Sequence, residues 1–90
     1  MFVVIGERIN TSRAAMKAAV EVRDADAIRL EATKQEAAGA AYLDVNAGAR
    51  YGHEAEDMRW LLEVIQPVVG IPLCLDSPDP AVLDMAFGLV

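Results

Sequence analysis

Ala41-Tyr42-Leu43-Asp44-Val45-Asn46 is the stretch of the chain that decides its fold. Alternate residues of a strand point to opposite faces, so Leu43 and Val45 share one face and are expected to pack on helices. The other face carries Tyr42, Asp44 and Asn46. Its polar groups need hydrogen-bonding partners wherever they are buried, which makes this face the candidate for chemistry.

Two further strands are predicted on either side of this stretch. Residues 2–5 form a short apolar run closed by Gly6, which is typical of a strand buried on both faces, and residues 72–75 are predicted to form the third strand. Helices are expected at 13–22, with Thr11 or Ser12 as the cap, at 25–38, and after the turn at 76–80.

The clearest helical signal is an apolar stripe with helical spacing, formed by Met58, Leu61, Leu62, Ile65 and Val69. A proline at position 67 is expected to kink or fray the end of this helix.

Capping residues are predicted for the other helices. Asp24 should cap the helix at 25–38, Gly39 should end it in the left-handed conformation, and Asp79 should cap the last helix. The solvated side of the helix at 25–38 is assigned to Arg29, Glu31, Lys34 and Glu36.

Strands that alternate with helices indicate parallel strands joined by right-handed crossovers, which places the chain in the α/β class. Its 90 residues are too few for a doubly wound sheet or for a closed eight-stranded barrel of about 250 residues. We therefore expect residues 1–90 to be the N-terminal part of a larger domain. Taken alone, they should be unstable or aggregate through unpaired strand edges.

Composition argues against several classes of protein. The net charge is −6 with no basic cluster, so nucleic-acid binding is not expected. Cys74 is the single cysteine and His53 the single histidine, so no disulfide and no metal-ligand set is expected. We expect Cys74 to be buried and His53 to be solvated. No apolar run reaches the roughly 20 residues that span a bilayer and no signal peptide is evident, which predicts a cytoplasmic protein without membrane contact.

Polar residues gather at the carboxyl end of each predicted strand. They are Glu7, Arg8 and Asn10 after the first strand, Asp44 and Asn46 at the end of the second, and Asp76 and Ser77 after the third. Ligands of parallel α/β folds bind at this edge, because the loops there converge. The sequence therefore predicts one polar site assembled from three separate segments.

Purely structural roles compete with this interpretation. Asp76 would also suit a turn or a helix cap, and Asp44 and Asn46 could close turns through their own backbone. Glu7 and Arg8 could simply pair with neighbouring charges.

Three segments together resemble a known family. They are residues 4–10 (Val-Ile-Gly-Glu-Arg-Ile-Asn), 39–48 (Gly-Ala-Ala-Tyr-Leu-Asp-Val-Asn-Ala-Gly) and 71–77 (Ile-Pro-Leu-Cys-Leu-Asp-Ser). In this order and spacing they are similar to the pterin-binding methyltetrahydrofolate:corrinoid protein methyltransferases and to the folate domain of cobalamin-dependent methionine synthase. The resemblance covers essentially the whole chain. It implies a (β/α)8 TIM barrel, of which residues 1–90 would form about three βα units, with the pterin at the C-terminal mouth.

The resemblance also implies roles for individual residues. Asp76 would anchor the pterin, since one carboxylate accepts both a ring N–H and the neighbouring amino group. The other residues of the pterin pocket would be Asp44, Asn46 and Ser77. The residues that order the loops at the mouth would be Glu7, Arg8 and Asn10. No residue is assigned as catalytic or as a metal ligand.

The activity implied by the resemblance is transfer of a methyl group between 5-methyltetrahydrofolate and the cobalt of a corrinoid (cobalamin) carried by a partner protein. The 90 residues alone would be inactive, and pairing of two barrels into a homodimer is a further expectation. Dihydropteroate synthase shares the barrel and the pocket, but its loops read Asn-Val-Thr-Pro-Asp and Asp-x-Gly-Gly where this chain has Gly-Glu-Arg-Ile-Asn and Asp-Val-Asn-Ala-Gly. A non-catalytic folate-binding module and an unrelated barrel enzyme also stay open.

Overall fold

The computed structural model describes residues 3–90 as one parallel sheet with helices. The elements in chain order are β1 (Ile5–Asn10), α1 (Ala14–Glu21), α2 (Ala25–Ala37), β2 (Tyr42–Asn46), α3 (Glu54–Ile65), β3 (Leu73–Asp76) and α4 (Pro80–Phe87). All strand pairs are parallel and the sheet order is β1-β2-β3, which confirms the α/β class. Within residues 3–90, no helix is long and apolar enough to cross a membrane.

The core lies between the helices and one face of the sheet. Leu43 and Val45 of β2 are fully buried there, as the alternation of β2 predicts. They pack in one cluster with the stripe residues of α3, namely Met58, Leu61, Leu62 and Ile65. Each apolar side chain buried in this way contributes on the order of 1.5–3 kcal/mol, so the cluster is the main source of stability.

The opposite face of the sheet is open to solvent in the part of the chain that the structure describes. Tyr42 of β2 is 40% exposed, and Cys74 of β3 is exposed as well. The expectation that Cys74 is buried is therefore wrong. Strand alternation places Cys74 on the face that the helices do not cover, and an apolar setting in sequence, between two leucines, does not reveal which face that is.

The first strand begins later than predicted. Residue 2 lies outside the described residues, and Val3 and Val4 precede β1 with 58% and 55% of their surfaces exposed. β1 starts at Ile5 and continues through the polar segment to Asn10, because residues at both ends of this segment pair with β2. Glu7, which was expected in a turn after the strand, therefore lies within it.

Most of the predicted helix ends are confirmed. The Asp24 and Asp79 side chains accept hydrogen bonds from the backbone N–H of Ala27 and Ala81, and Gly39 has a φ of +96°. α3 ends at Ile65, so residue 69 of the predicted stripe packs on the core from outside the helix.

The predicted cap of α1 is wrong. Arg13 is the N-cap residue and its side chain makes no capping bond, because the Thr11 hydroxyl is engaged elsewhere: it accepts from the backbone N–H of Ala49 at 3.0 Å.

Candidate functional site

Asn46 and Asp76 meet at the carboxyl ends of β2 and β3. They are register partners, and the Asn46 Nδ2 donates to the Asp76 Oδ2 at 3.2 Å. The Asn46 Oδ1 accepts from the backbone N–H of Gly48 at 2.9 Å, which closes a turn after β2. The turn-closing role weighed from the sequence is thus present for Asn46, and its two hydrogen bonds fix the amide plane against the Asp76 carboxylate.

Asp76 does not cap a helix, since Asp79 caps α4. It is exposed on the open face of the sheet. A carboxylate held there by one amide donor keeps acceptor capacity for a ligand that presents N–H groups.

Ser77 ties the loop after β3 to α3. Its hydroxyl donates to Glu54 Oε2 at 2.9 Å and accepts from the backbone N–H of Asp79 at 3.0 Å. Glu54, which the sequence analysis did not single out, therefore orders this loop from the first turn of α3.

Asp44 lies on the same open face, opposite Cys74 in the neighbouring strand. Its pKa is raised above the ordinary value of 3.8, first by desolvation and then by the negative charges of Asp76 and Glu7. Glu7 directly follows Gly6, which faces α2, so strand alternation places the Glu7 side chain on this open face as well. Three carboxylates on one face favour a ligand edge rich in hydrogen-bond donors.

Arg8 is directed away from this acidic face. Its Nε lies 3.0 Å from Glu31 Oε1, and its backbone N–H donates to Gln35 Oε1 at 3.3 Å. Both partners belong to α2, and both are buried, with exposures of 8% and 7%. The assignment of Glu31 to the solvated side of α2 is therefore wrong, because Glu31 faces β1 and pairs with Arg8.

Asn10 and Thr11 fasten the ends of β1 and β2 together. The Asn10 Oδ1 accepts from the backbone N–H of Ser12 at 2.8 Å and so orders the turn before α1. The Thr11 backbone N–H donates to the Asn46 carbonyl at 3.0 Å. Thr11 is 1% exposed and was considered from the sequence only as a cap, although it connects two of the three predicted segments.

A buried carboxylate outside the open face supports the loop after β2. Asp57 of α3 is fully buried, and its Oδ1 accepts from Arg23 Nη1 at 3.0 Å and from Arg50 Nη1 at 2.9 Å. Arg23 also lies over the Trp60 ring, 5.1 Å from its centroid. The signal that would have found Asp57 is its place on the apolar side of α3, beside Met58 and four residues before Leu61.

A cavity of about 490 Å³ lies between the loops that follow β2 and β3. Its lining includes the exposed Tyr51 and both Glu54 and Asp79, whereas Asp44 and Asp76 do not line it. It therefore adjoins the predicted site without containing its carboxylates.

The carboxyl ends of the parallel strands gather carboxylates and an amide on one open face, and this is the edge of the sheet at which α/β proteins bind ligands. The chain belongs to the pterin-binding enzyme family, whose model matches residues 6–89. The resemblance that the three sequence segments indicate is thus confirmed.

One curated relative is similar to this chain over almost the whole of the chain's length. Over 87 residues the chain is 41% identical to a methylcorrinoid:tetrahydrofolate methyltransferase of Eubacterium limosum, and the match covers 97% of this chain and 32% of that protein. The chain therefore spans about a third of the length of the curated relative it matches.

Proposed function

We propose that these 90 residues are the pterin-anchoring part of a methyltransferase that moves a methyl group between tetrahydrofolate and a corrinoid protein. The observation that carries the proposal is the Asn46–Asp76 pair at the carboxyl edge of the sheet. The pterin-binding family match and the name of the relative, which pairs a methylcorrinoid with tetrahydrofolate, support the substrate class.

The architecture we propose is a (β/α)8 barrel, with residues 1–90 as its N-terminal portion of about three βα units. Three parallel strands with helices on one face are the repeating arrangement of such a barrel. The open face that carries Tyr42, Asp44 and Cys74 would line the barrel interior, where side chains of the remaining strands would cover it. The greater length of the relative supports this arrangement.

Asp76 is proposed as the group that holds the pterin. A pterin presents a ring N–H beside an exocyclic amino group, and a carboxylate accepts both in a bidentate pair. Asn46 would orient the carboxylate through its Nδ2–H, and Asp44 would add negative potential beneath the ring.

The other predicted site residues are proposed to hold the loops around the ligand. Ser77 connects the loop after β3 to Glu54, and Asn10 orders the turn after β1. Arg8 acts from the helix side of the sheet through Glu31, and Glu7 contributes charge to the open face.

The corrinoid of the partner protein supplies the cobalt to or from which the methyl group moves. On the folate side, the methyl-bearing nitrogen gains a proton or a hydrogen bond when it gives up the methyl group, because an uncharged amine is a poor leaving group. The proposed part of residues 1–90 is to bind the pterin and fix its orientation, which lowers the barrier by placing the reacting nitrogen correctly.

The test is calorimetric titration of methyltetrahydrofolate into the full-length protein that contains these residues, with Asp76→Asn in parallel. The substitution is expected to weaken binding by about 1–3 kcal/mol, the value of a hydrogen-bond pair to a charged group. Asp84→Asn is the matched control, because Asp84 is exposed on α4, away from the open face, and should bind as the unaltered protein does.

Each outcome of this titration has a distinct meaning. An unaltered protein that binds no folate contradicts the proposed function. Binding that Asp76→Asn leaves unchanged keeps the pterin and removes Asp76 as its anchor. Formation of methyltetrahydrofolate from tetrahydrofolate and methylcobalamin, measured on the same protein, tests the methyl transfer itself.

A further inference from the structure

β1 contains a β-bulge between Gly6 and Ile9. Gly6 pairs with Leu43 and Ile9 pairs with Val45, so three steps along β1 correspond to two steps along β2. One extra residue is therefore inserted between Gly6 and Ile9. Bulges are rare in parallel pairs, and they occur next to functional sites, where they redirect a side chain.

The bulge changes which side chains share a face. Gly6 and Ile9 are both buried on the helix side, although they are three residues apart and regular alternation would place them on opposite faces. The two residues between them separate: Arg8 pairs with α2, and Glu7, which directly follows the helix-side Gly6, lies on the open face that also carries Asp44.

The Gln35 side chain of α2 holds this bulge by accepting a hydrogen bond from the backbone of Arg8. A bulge removes a backbone N–H from the regular strand ladder, and the Arg8 N–H donates instead to Gln35 Oε1. The Gln35 side chain is 7% exposed, and its Nε2 also donates to the Glu31 carbonyl at 3.4 Å. Gly6 makes room for it, since a Cβ at position 6 would collide with Gln35 Oε1.

We propose that Gln35 is a positioning residue of the binding face: by accepting the Arg8 N–H it fixes the bulge and so keeps the Glu7 side chain on the open face that carries Asp44. Glu31 assists by holding the Arg8 side chain on the helix side, where it cannot neutralise the open face. The consequence for pterin binding rests on the proposed function. The consequence for Asp44 does not, because the arrangement of the carboxylates exists without a ligand.

The test uses the full-length protein with the substitution Gln35→Met. The methionine side chain is similar in length to glutamine, but it lacks the amide oxygen that accepts the hydrogen bond from the Arg8 N–H. The carboxyl carbon of Asp44 is titrated by nuclear magnetic resonance; among residues 3–90, the charged groups that face it are Glu7 from β1 and Asp76 from β3. We expect Gln35→Met and Glu7→Gln each to lower the pKa of Asp44 toward its ordinary value, and the double variant to lower it no further than Glu7→Gln alone.

Two controls separate positioning from general damage. Lys34→Met changes the exposed neighbour of Gln35 on α2 and should leave the Asp44 titration unchanged. Gln35→Glu retains an acceptor oxygen for the Arg8 N–H, so hydrogen exchange at the Arg8 amide should stay as slow as in the unaltered protein; this amide is its readout, because the added carboxylate would itself act on the Asp44 titration. A merely structural role for Gln35 would lower the melting temperature without moving the Asp44 titration.

Methyltetrahydrofolate binding gives the second readout. Gln35→Met should weaken binding about tenfold, the affinity equivalent of one well-placed hydrogen bond. An Asp44 titration unmoved by Gln35→Met, while Glu7→Gln moves it, overturns the proposal. If Gln35→Met does not fold, hydrogen exchange at the Arg8 amide of the unaltered protein is measured instead. Fast exchange there means that Gln35 does not hold this amide, and it overturns the proposal equally. If the unaltered protein binds no folate, the proposed function fails and the Asp44 titration still decides the role of Gln35.

Discussion

Replacing the fully buried Asp57 by alanine should destabilise the protein more than any change of a surface charge. The substitution removes the acceptor of Arg23 and Arg50, whose side chains are 37% and 19% exposed. Breaking a buried ion pair costs about 3–5 kcal/mol, because the remaining charge is left without its partner.

The structure places Asp57→Ala at the lower end of this range. Arg23 is exposed enough to regain water, whereas Arg50 is more enclosed. In addition, the Asp57 Oδ2 is buried without a hydrogen-bond partner among residues 3–90. The desolvation of this oxygen already costs free energy in the unaltered protein, and the substitution recovers that cost. We expect a loss of about 3 kcal/mol in the free energy of unfolding.

The assay is urea unfolding of the full-length protein at low and at high salt. Asp26→Ala is the matched control, because Asp26 pairs with Arg29 at 2.7 Å but is 93% exposed. The control should change stability little, and salt should screen what change there is. The loss in Asp57→Ala should persist at high salt. A loss below about 1 kcal/mol, the value of a surface pair, would refute the reasoning that the buried carboxylate holds the two arginines.

Two further predictions follow from the open face and from β1. Asp44→Asn should raise the melting temperature at neutral pH, because the raised pKa of Asp44 means that its charged form is disfavoured in the folded state. The gain should vanish below the ordinary value of 3.8, where the group is protonated in both folded and unfolded protein, and a gain that persists there contradicts the prediction. Gly6→Ala should cost about 1–3 kcal/mol by overpacking against Gln35, whereas Gly70→Ala, whose added Cβ would lie 3.7 Å from its nearest neighbour, should be close to neutral in the same unfolding measurement.

The meeting of Asn46 and Asp76 was predictable from the sequence, because each of these residues ends a parallel strand. Parallel strands bring their carboxyl ends to one edge, so the topology alone places Asn46 near Asp76. The bond between them depends on register, which the sequence does not specify at the level of single residues. The supporting residues Gln35, Asp57 and Thr11 were not identified as such, because each acts across a distance of many residues along the chain.

The sequence by itself determined the features that depend on near neighbours. The alternation of β2, the apolar stripe of α3 and the caps at Asp24 and Asp79 all follow from side chains within a few positions of one another. These local patterns were sufficient for the α/β class and for the order of the elements.

Only the tertiary structure decided which surfaces are covered and which polar groups meet. Within residues 3–90, Glu31 is buried although its helix has a polar sequence, and Cys74 is exposed although its strand is apolar, because burial depends on the element packed against each face. The bulge that separates Glu7 from Arg8 likewise exists only where β1 pairs with β2 and lies against Gln35. The physical reason is that burial and register are set by contacts between segments far apart in the chain, whereas periodicity and capping act within one segment.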